Sequence, residues 1–246
     1  MESHVQAKVM RGIPCSLLFL FWSFFFAPTI SAEEHRDFVR LREQMVKRQI
    51  IARGVRDDRV IKAMEKVPRH LFVPEKLRAL SYGDHPLRIG EGQTISQPYI
   101  VAFMTEALDL RPEDRVLEIG AGSGYQAAIL AELVKEVYTI EIIENLGKRA
   151  RQTLDMLGYK NIHVKLGDGY KGWPDEAPFD AVIVTCAPEQ VPRPLVHQLK
   201  EGGRMIIPVG RAGAIQELVL AIKKRGLLKK EDVMRVRFVP MIRGDP

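Results

Sequence analysis

The sequence predicts an α/β fold: a doubly wound, mostly parallel sheet with an antiparallel edge strand and extra helices on its N-terminal side. Three observations carry that expectation. After Pro112, short apolar runs of strand character alternate with helical stretches. A glycine-rich turn follows the first of those runs, at residues 120–124. The chain has 246 residues and 46% hydrophobic content, enough for one core of this kind. Composition removes other classes: Gly 19 and Pro 15 exclude collagen and low-complexity disorder. The two cysteines, Cys15 and Cys186, have neither metal spacing nor the density of a disulfide scaffold. The net charge of +6 is interleaved along the chain, so it identifies no partner by itself.

Residues 13–30 form an apolar stretch preceded by Lys8 and Arg11 and followed by Ser31, Ala32 and a charged run. That layout suits a secretion signal, with cleavage after Ala32, or a short anchor; a start of translation at Met45 is the third reading. The expected division is therefore a segment 1–32 and a single domain 33–246, with helices and a long loop over 33–110 and the sheet core over 111–246.

Within 33–80 the spacing of Phe38, Leu41, Met45, Val46, Gln49 and Ile50 predicts a helix stopped by Gly54. A second helix is expected from Arg56 to Lys66, ended by Val67 and Pro68. Residues 81–98 are dense in Gly, Pro and polar residues without periodicity, the mark of a long functional loop. A helix from Ile100 to Leu110 precedes the alternating region. There the expected strands are Val116–Ile119, Glu136–Glu141, Ile162–Leu166, Phe179–Thr185 and Arg204–Val209. Helices are expected over Tyr125–Val134, Glu144–Leu157 and Pro192–Leu199. Glu217–Lys223 and Val233–Val239 alternate and suit an antiparallel pair at the sheet edge.

Ligands of an open parallel sheet bind beyond the carboxyl ends of its strands, where the winding reverses. Three predicted strand ends carry unusual chemistry. The first is Glu118 followed by Gly120, Gly122 and Gly124, a turn that lets a ligand approach the backbone. The second is Glu141, at the distance along the chain where a carboxylate takes ribose hydroxyls. The third is Asp168 with Gly169, which can place a carboxylate near an adenine amino group. Position 125 is Tyr, so the pattern lacks the final glycine of a pyrophosphate-binding fingerprint. The combination suits an adenosine ligand without phosphates, for which S-adenosylmethionine is the candidate cofactor, and disfavours a nicotinamide oxidoreductase.

Val116 to Gln126 resembles the first motif of class I methyltransferases, whose fold is Rossmann-like. Together with Val67-Pro68-Arg69, Gly90 to Tyr99 and Val236 to Pro240, it closely resembles the protein-L-isoaspartate O-methyltransferase family, over about Met45 to Val239. The resemblance implies methyl transfer from S-adenosylmethionine to the α-carboxylate of L-isoaspartyl residues in damaged proteins, and of D-aspartyl residues as well. It also implies Ser96 as the active-site serine, with Thr94, Ile95 and Gln97 beside it on the substrate. The extension before residue 33 departs from the usual cytoplasmic pattern. Supply of the cofactor favours the cytoplasm, with a periplasmic or membrane-anchored location through residues 13–30 as the alternative.

The six His residues show no paired metal spacing, so no metal is expected. Basic residues 223–225 and 229–230 lack interleaved aromatics, so no specific nucleic acid is expected either. Cys186 is read as a small buried residue rather than a nucleophile. The expected state is a monomer. The alternatives are a class I methyltransferase acting on a small molecule or RNA, and a non-catalytic adenosine-binding module.

Overall fold

The computed structural model describes residues 1–2 and 32–244, with side chains from 36 onward. The apolar stretch 13–30 and its cleavage point lie outside the described residues. Among those described, no helix is long and apolar enough to cross a membrane.

The N-terminal part begins with α1 (Ala32–Met45). It runs through a π-helical turn and a 3-10 turn to Gly54, which takes the left-handed φ of +102° that ends a helix cheaply. Helix α2 (Asp58–Lys66) is capped by Asp57, whose carboxylate accepts from the Arg59 amide at 2.8 Å. A 3-10 turn at Arg69–Phe72 follows, and the Phe38 ring stacks on His70 at 4.1 Å, docking α1 onto it.

The segment 81–98 departs from expectation. It is not a plain loop but contains the antiparallel pair β1 (Leu87–Gly90) and β2 (Gln93–Ile95). The turn between them uses three left-handed residues, Gly90, Glu91 and Gly92. Such short strands show no alternation long enough to read, and two glycines in the turn mask them further. Helix α3 (Pro98–Ala107) starts on proline at its first position, where the missing N–H costs nothing.

The main sheet has seven strands in the order β5-β4-β3-β6-β7-β8-β9. These are β3 (Arg115–Ile119), β4 (Glu136–Glu141), β5 (Ile162–Leu166), β6 (Phe179–Val184), β7 (Leu199–Val209), β8 (Gln216–Lys224) and β9 (Leu227–Val236). Strands β3 to β7 are parallel, and β8 and β9 complete an antiparallel edge. The connecting helices are α4 (Tyr125–Ala131), α5 (Glu144–Met156) and α6 (Arg193–Gln198). Strand β7 begins before the expected Arg204, and β9 begins at Leu227 rather than Val233. Residues 227–232 are mostly charged and exposed, so backbone pairing rather than an apolar pattern holds them.

Alternation along the strands divides the interior into two cores. Val116, Val137, Ala181 and Ile183 face the one shared with the N-terminal helices, α4 and α5. Leu117, Tyr138, Ile140, Val182 and Val184 face the other, with Leu195 of α6. Coverage on both faces is what a parallel sheet requires. Winding proceeds from β3 outward to β5, then resumes at β6 on the other side, so the switch point lies between β3 and β6.

Candidate active site

The switch-point cavity is built from the ends of β3, β4 and β6. Beyond Ile119 the chain turns through Gly120, Gly122 and Gly124, at φ of +96°, +54° and +88°. A side chain at 120 is excluded on two grounds, because its Cβ would stand 2.6 Å from Thr185 Oγ1 in an already left-handed residue. That hydroxyl is committed to the turn, donating to the Ile119 and Gly120 carbonyls at 3.0 and 2.7 Å. Gly124 faces away from the cavity; a methyl there would press on Leu154 at 3.2 Å, so this glycine serves the packing of α4 against α5. Tyr125 occupies the position where a pyrophosphate site keeps glycine, and its ring is fully buried edge-on to Phe72.

Glu141 ends β4 with its carboxylate fixed at the cavity rim. Oε2 accepts from the Gly122 amide at 2.7 Å and Oε1 from the Ile143 amide at 2.9 Å. Each oxygen keeps a second lone pair for a ligand hydroxyl. Glu118 lies beneath, fully buried, and neither of its carboxylate oxygens has a hydrogen-bond partner among the described residues. Burial pushes its pKa up to about 8, with the Thr139 hydroxyl close enough to oppose the shift and the Glu141 charge adding to it.

The cavity is narrow and partly open to solvent. Gly120, Gly122, Glu141 and Gly169 line it, with apolar walls from Ile119, Ile140 and Met241. No Lys, Arg or His is among its lining residues, so nothing there would balance a phosphate. A phosphate-free nucleoside carrying a positive centre suits it. A Cβ at Gly169 would stand 2.4 Å from Ile119 Cγ2, so this glycine, like Gly120, lets the walls of the cavity close on one another.

A second, larger cleft adjoins the first. Thr94, Ser96 and Gln97 line it on one side, and Arg53, Arg237 and Phe238 on others. The Gln97 side-chain amide is held by Asp84 Oδ1 at 2.7 Å, and Arg53 pairs with the same carboxylate at 2.9 Å while stacking over Tyr99. Thr94, Thr185 and Val239 line both spaces and form the wall between them.

The structure thus brings Gly120, Gly122, Glu141, Gly169 and Thr94 to one cavity, and Thr94, Ser96 and Gln97 to the other. Ile95 points into the core, only 4% exposed, as the residue after Thr94 in a strand must. The Asp168 carboxylate caps a 3-10 turn, accepting from the Tyr170 amide at 2.8 Å, and does not line the cavity, whereas Gly169 does.

Sequence reasoning missed Gln93, Thr185 and the segment 239–242 as lining residues, and took Cys186 for a core residue. Cys186 lines the cavity, and burial with the nearby Glu141 and Glu118 charges pushes its thiol pKa far up, which leaves it inert. Residues 239–242 lie on the cavity because Ala187 donates to the Val239 carbonyl at 2.8 Å and Met241 donates back to Ala187 at 2.9 Å. Position 185, at the end of a strand on the expected rim, was the one available signal.

Fold and site together are those of a class I methyltransferase. The family model described as protein-L-isoaspartate(D-aspartate) O-methyltransferase (PCMT) matches residues 40–245. The chain belongs to that family. It is 56% identical over 203 residues to a protein-L-isoaspartate O-methyltransferase of Picosynechococcus sp., covering 82% of this chain and 90% of that one. It is 54% identical over 218 residues to the protein of that name from Opitutus terrae, covering 89% and 94%. Among solved structures, one titled protein-L-isoaspartate O-methyltransferase superposes with a TM-score of 0.74 at 32% identity, over 81% of this chain and 65% of that one. A beta-aspartate methyltransferase (PCMT) structure from Plasmodium falciparum, in complex with S-adenosyl-L-homocysteine, gives 0.71 at 25% identity, over 82% and 99%.

Proposed function

We propose that the protein transfers a methyl group from S-adenosylmethionine to the α-carboxylate of L-isoaspartyl, and also D-aspartyl, residues of damaged proteins. The observation that carries this reading is the wall of Thr94, Thr185 and Val239 shared by a phosphate-free nucleoside cavity and the cleft holding Ser96. Glu141 holds the ribose hydroxyls, Gly120, Gly122 and Gly169 let the ligand lie against the backbone, and Glu118 lies beneath the turn as a buried carboxyl that is mostly neutral at pH 7. The cofactor supplies an activated methyl on a sulfonium.

The chain's own task is alignment. An isoaspartyl carboxylate, with a reference pKa near 4, is already ionised at neutral pH, so no general base is needed. Ser96 donates to one carboxylate oxygen and leaves the other facing the shared wall; the new O–C bond forms there as the S–C bond breaks in line. Thr94 and Gln97 flank that oxygen pair. Holding the reactants in this geometry and excluding water supplies roughly 7–11 kcal/mol in favourable cases.

The test is transfer of radiolabelled methyl to an isoaspartyl peptide, with the aspartyl peptide of the same sequence and bulk RNA as controls. Label on RNA, or equal label on both peptides, overturns the reading. We further place the enzyme in the cytoplasm as a monomer, because the methyl donor is made there. Sequencing the N-terminus of the native protein and measuring its mass in solution check both statements.

A further inference from the structure

Arg69 sits in the turn after α2 and is completely buried. Its Nε donates to the Ser81 carbonyl and its Nη2 to the Ser96 carbonyl, each at 2.7 Å. Its third nitrogen, Nη1, has no hydrogen-bond partner among the described residues. Among the described residues no carboxylate offsets the charge, and burial lowers the pKa to about 10, which still leaves the group protonated near neutrality. A buried cation without a counter-ion is expensive, and an apolar residue of similar volume would usually serve packing as well or better. The two bonds explain its presence. Ser81 and Ser96 bracket the substrate segment, so one rigid fork fixes both ends of it.

The guanidinium also lies over the Tyr125 ring, 4.9 Å from its centroid. Tyr125 is the first residue of α4, directly behind the glycine turn of the cofactor cavity. The same side chain therefore indexes the main chain of Ser96 to the element that carries the cofactor turn.

We propose that Arg69 is a positioning residue for methyl transfer, setting the placement of Ser96 relative to the cofactor cavity; this rests on the reading of Ser96 given above. Lys at 69 would keep the charge but reach only one of the two carbonyls. The expected result for R69K is a kcat lowered about 30- to 100-fold, the loss typical of a misplacement near 1 Å. S-adenosylmethionine affinity stays close to wild type, while Tm falls by several degrees for the carbonyl left unpaired.

If Arg69 acts through Ser96, R69K costs little more in an S96A background than S96A alone. Wild-type kcat in R69K, or the full loss repeated in the S96A background, overturns the proposal; so does a kcat loss matched by an equal loss of cofactor affinity. S96A with wild-type turnover would instead sink the reading of Ser96. Should R69K not fold, amide exchange of the wild-type enzyme decides: residues 94–97 are expected to be protected before peptide is added. Rapid exchange that only peptide binding slows would show the segment is not pre-set.

Discussion

Ser96 and Glu141 divide the work between two ligands, and their substitutions should separate accordingly. Ser96→Ala removes a donor to the reacting carboxylate, so kcat falls about 10²–10³-fold, as for other single donors of this kind, while calorimetry finds cofactor affinity unchanged. Glu141→Ala does the reverse: losing hydrogen bonds to a charged acceptor weakens S-adenosylmethionine binding about 10- to 100-fold. Glu118 makes a claim about pH. Its carboxyl stays protonated in the ligand-free fold up to about pH 8, whereas the unfolded chain ionises near the ordinary glutamate value of 4.5. Between those values the unfolded state binds fewer protons, so this group's contribution to stability is complete below the lower value and is lost as pH rises through the upper one. Glu118→Gln should therefore raise the Tm of ligand-free protein at pH 8 by several degrees and leave it nearly unchanged at pH 5; the same gain at both pH values would refute the assignment. Of these three residues, both glutamates were marked as candidates by their places at strand ends. Ser96 was not, because a serine in a polar loop is usually satisfied by its own backbone, and only the family resemblance singled it out.

At the scale of elements, the glycine turn and the substrate segment show what pattern can and cannot carry. Strands β3, β4 and β6 were legible because each is buried on both faces, whereas β5, at the sheet edge, is half-exposed and stood out only by its place after α5. The β1–β2 pair was not, and with it went the direction of Ile95, since a side chain's face follows from the strand it belongs to. Asp168, singled out by its place after the third parallel strand, accepts from the Tyr170 amide through Oδ1. Gly120→Ala should cost more than an ordinary glycine replacement, about 1–3 kcal/mol for the forced left-handed residue alone, plus the clash with Thr185. Denaturant unfolding measures the first part. Cofactor titration measures the second, which should appear as weakened binding because Thr185 holds the turn.

For the molecule as a whole, two cores lie on opposite faces of one sheet, and the cavity sits where their strands end. A ligand seated there touches β3, β4, β6 and the 239–242 segment together. Saturating S-adenosylmethionine should raise Tm by mass action, by about 2.7 kcal/mol of added stability at one hundred times Kd. Glu141→Ala should cut that gain to about 0.4–1.4 kcal/mol at the same concentration. The C-terminal end has the plainest consequence. Every strand of the sheet is complete by Val236, yet the lips of both chambers are made by residues 236–242. A polypeptide interrupted just past β9 would own its scaffold and its reacting side chains and lack one wall of each chamber, so a ribosome completes the enclosure last.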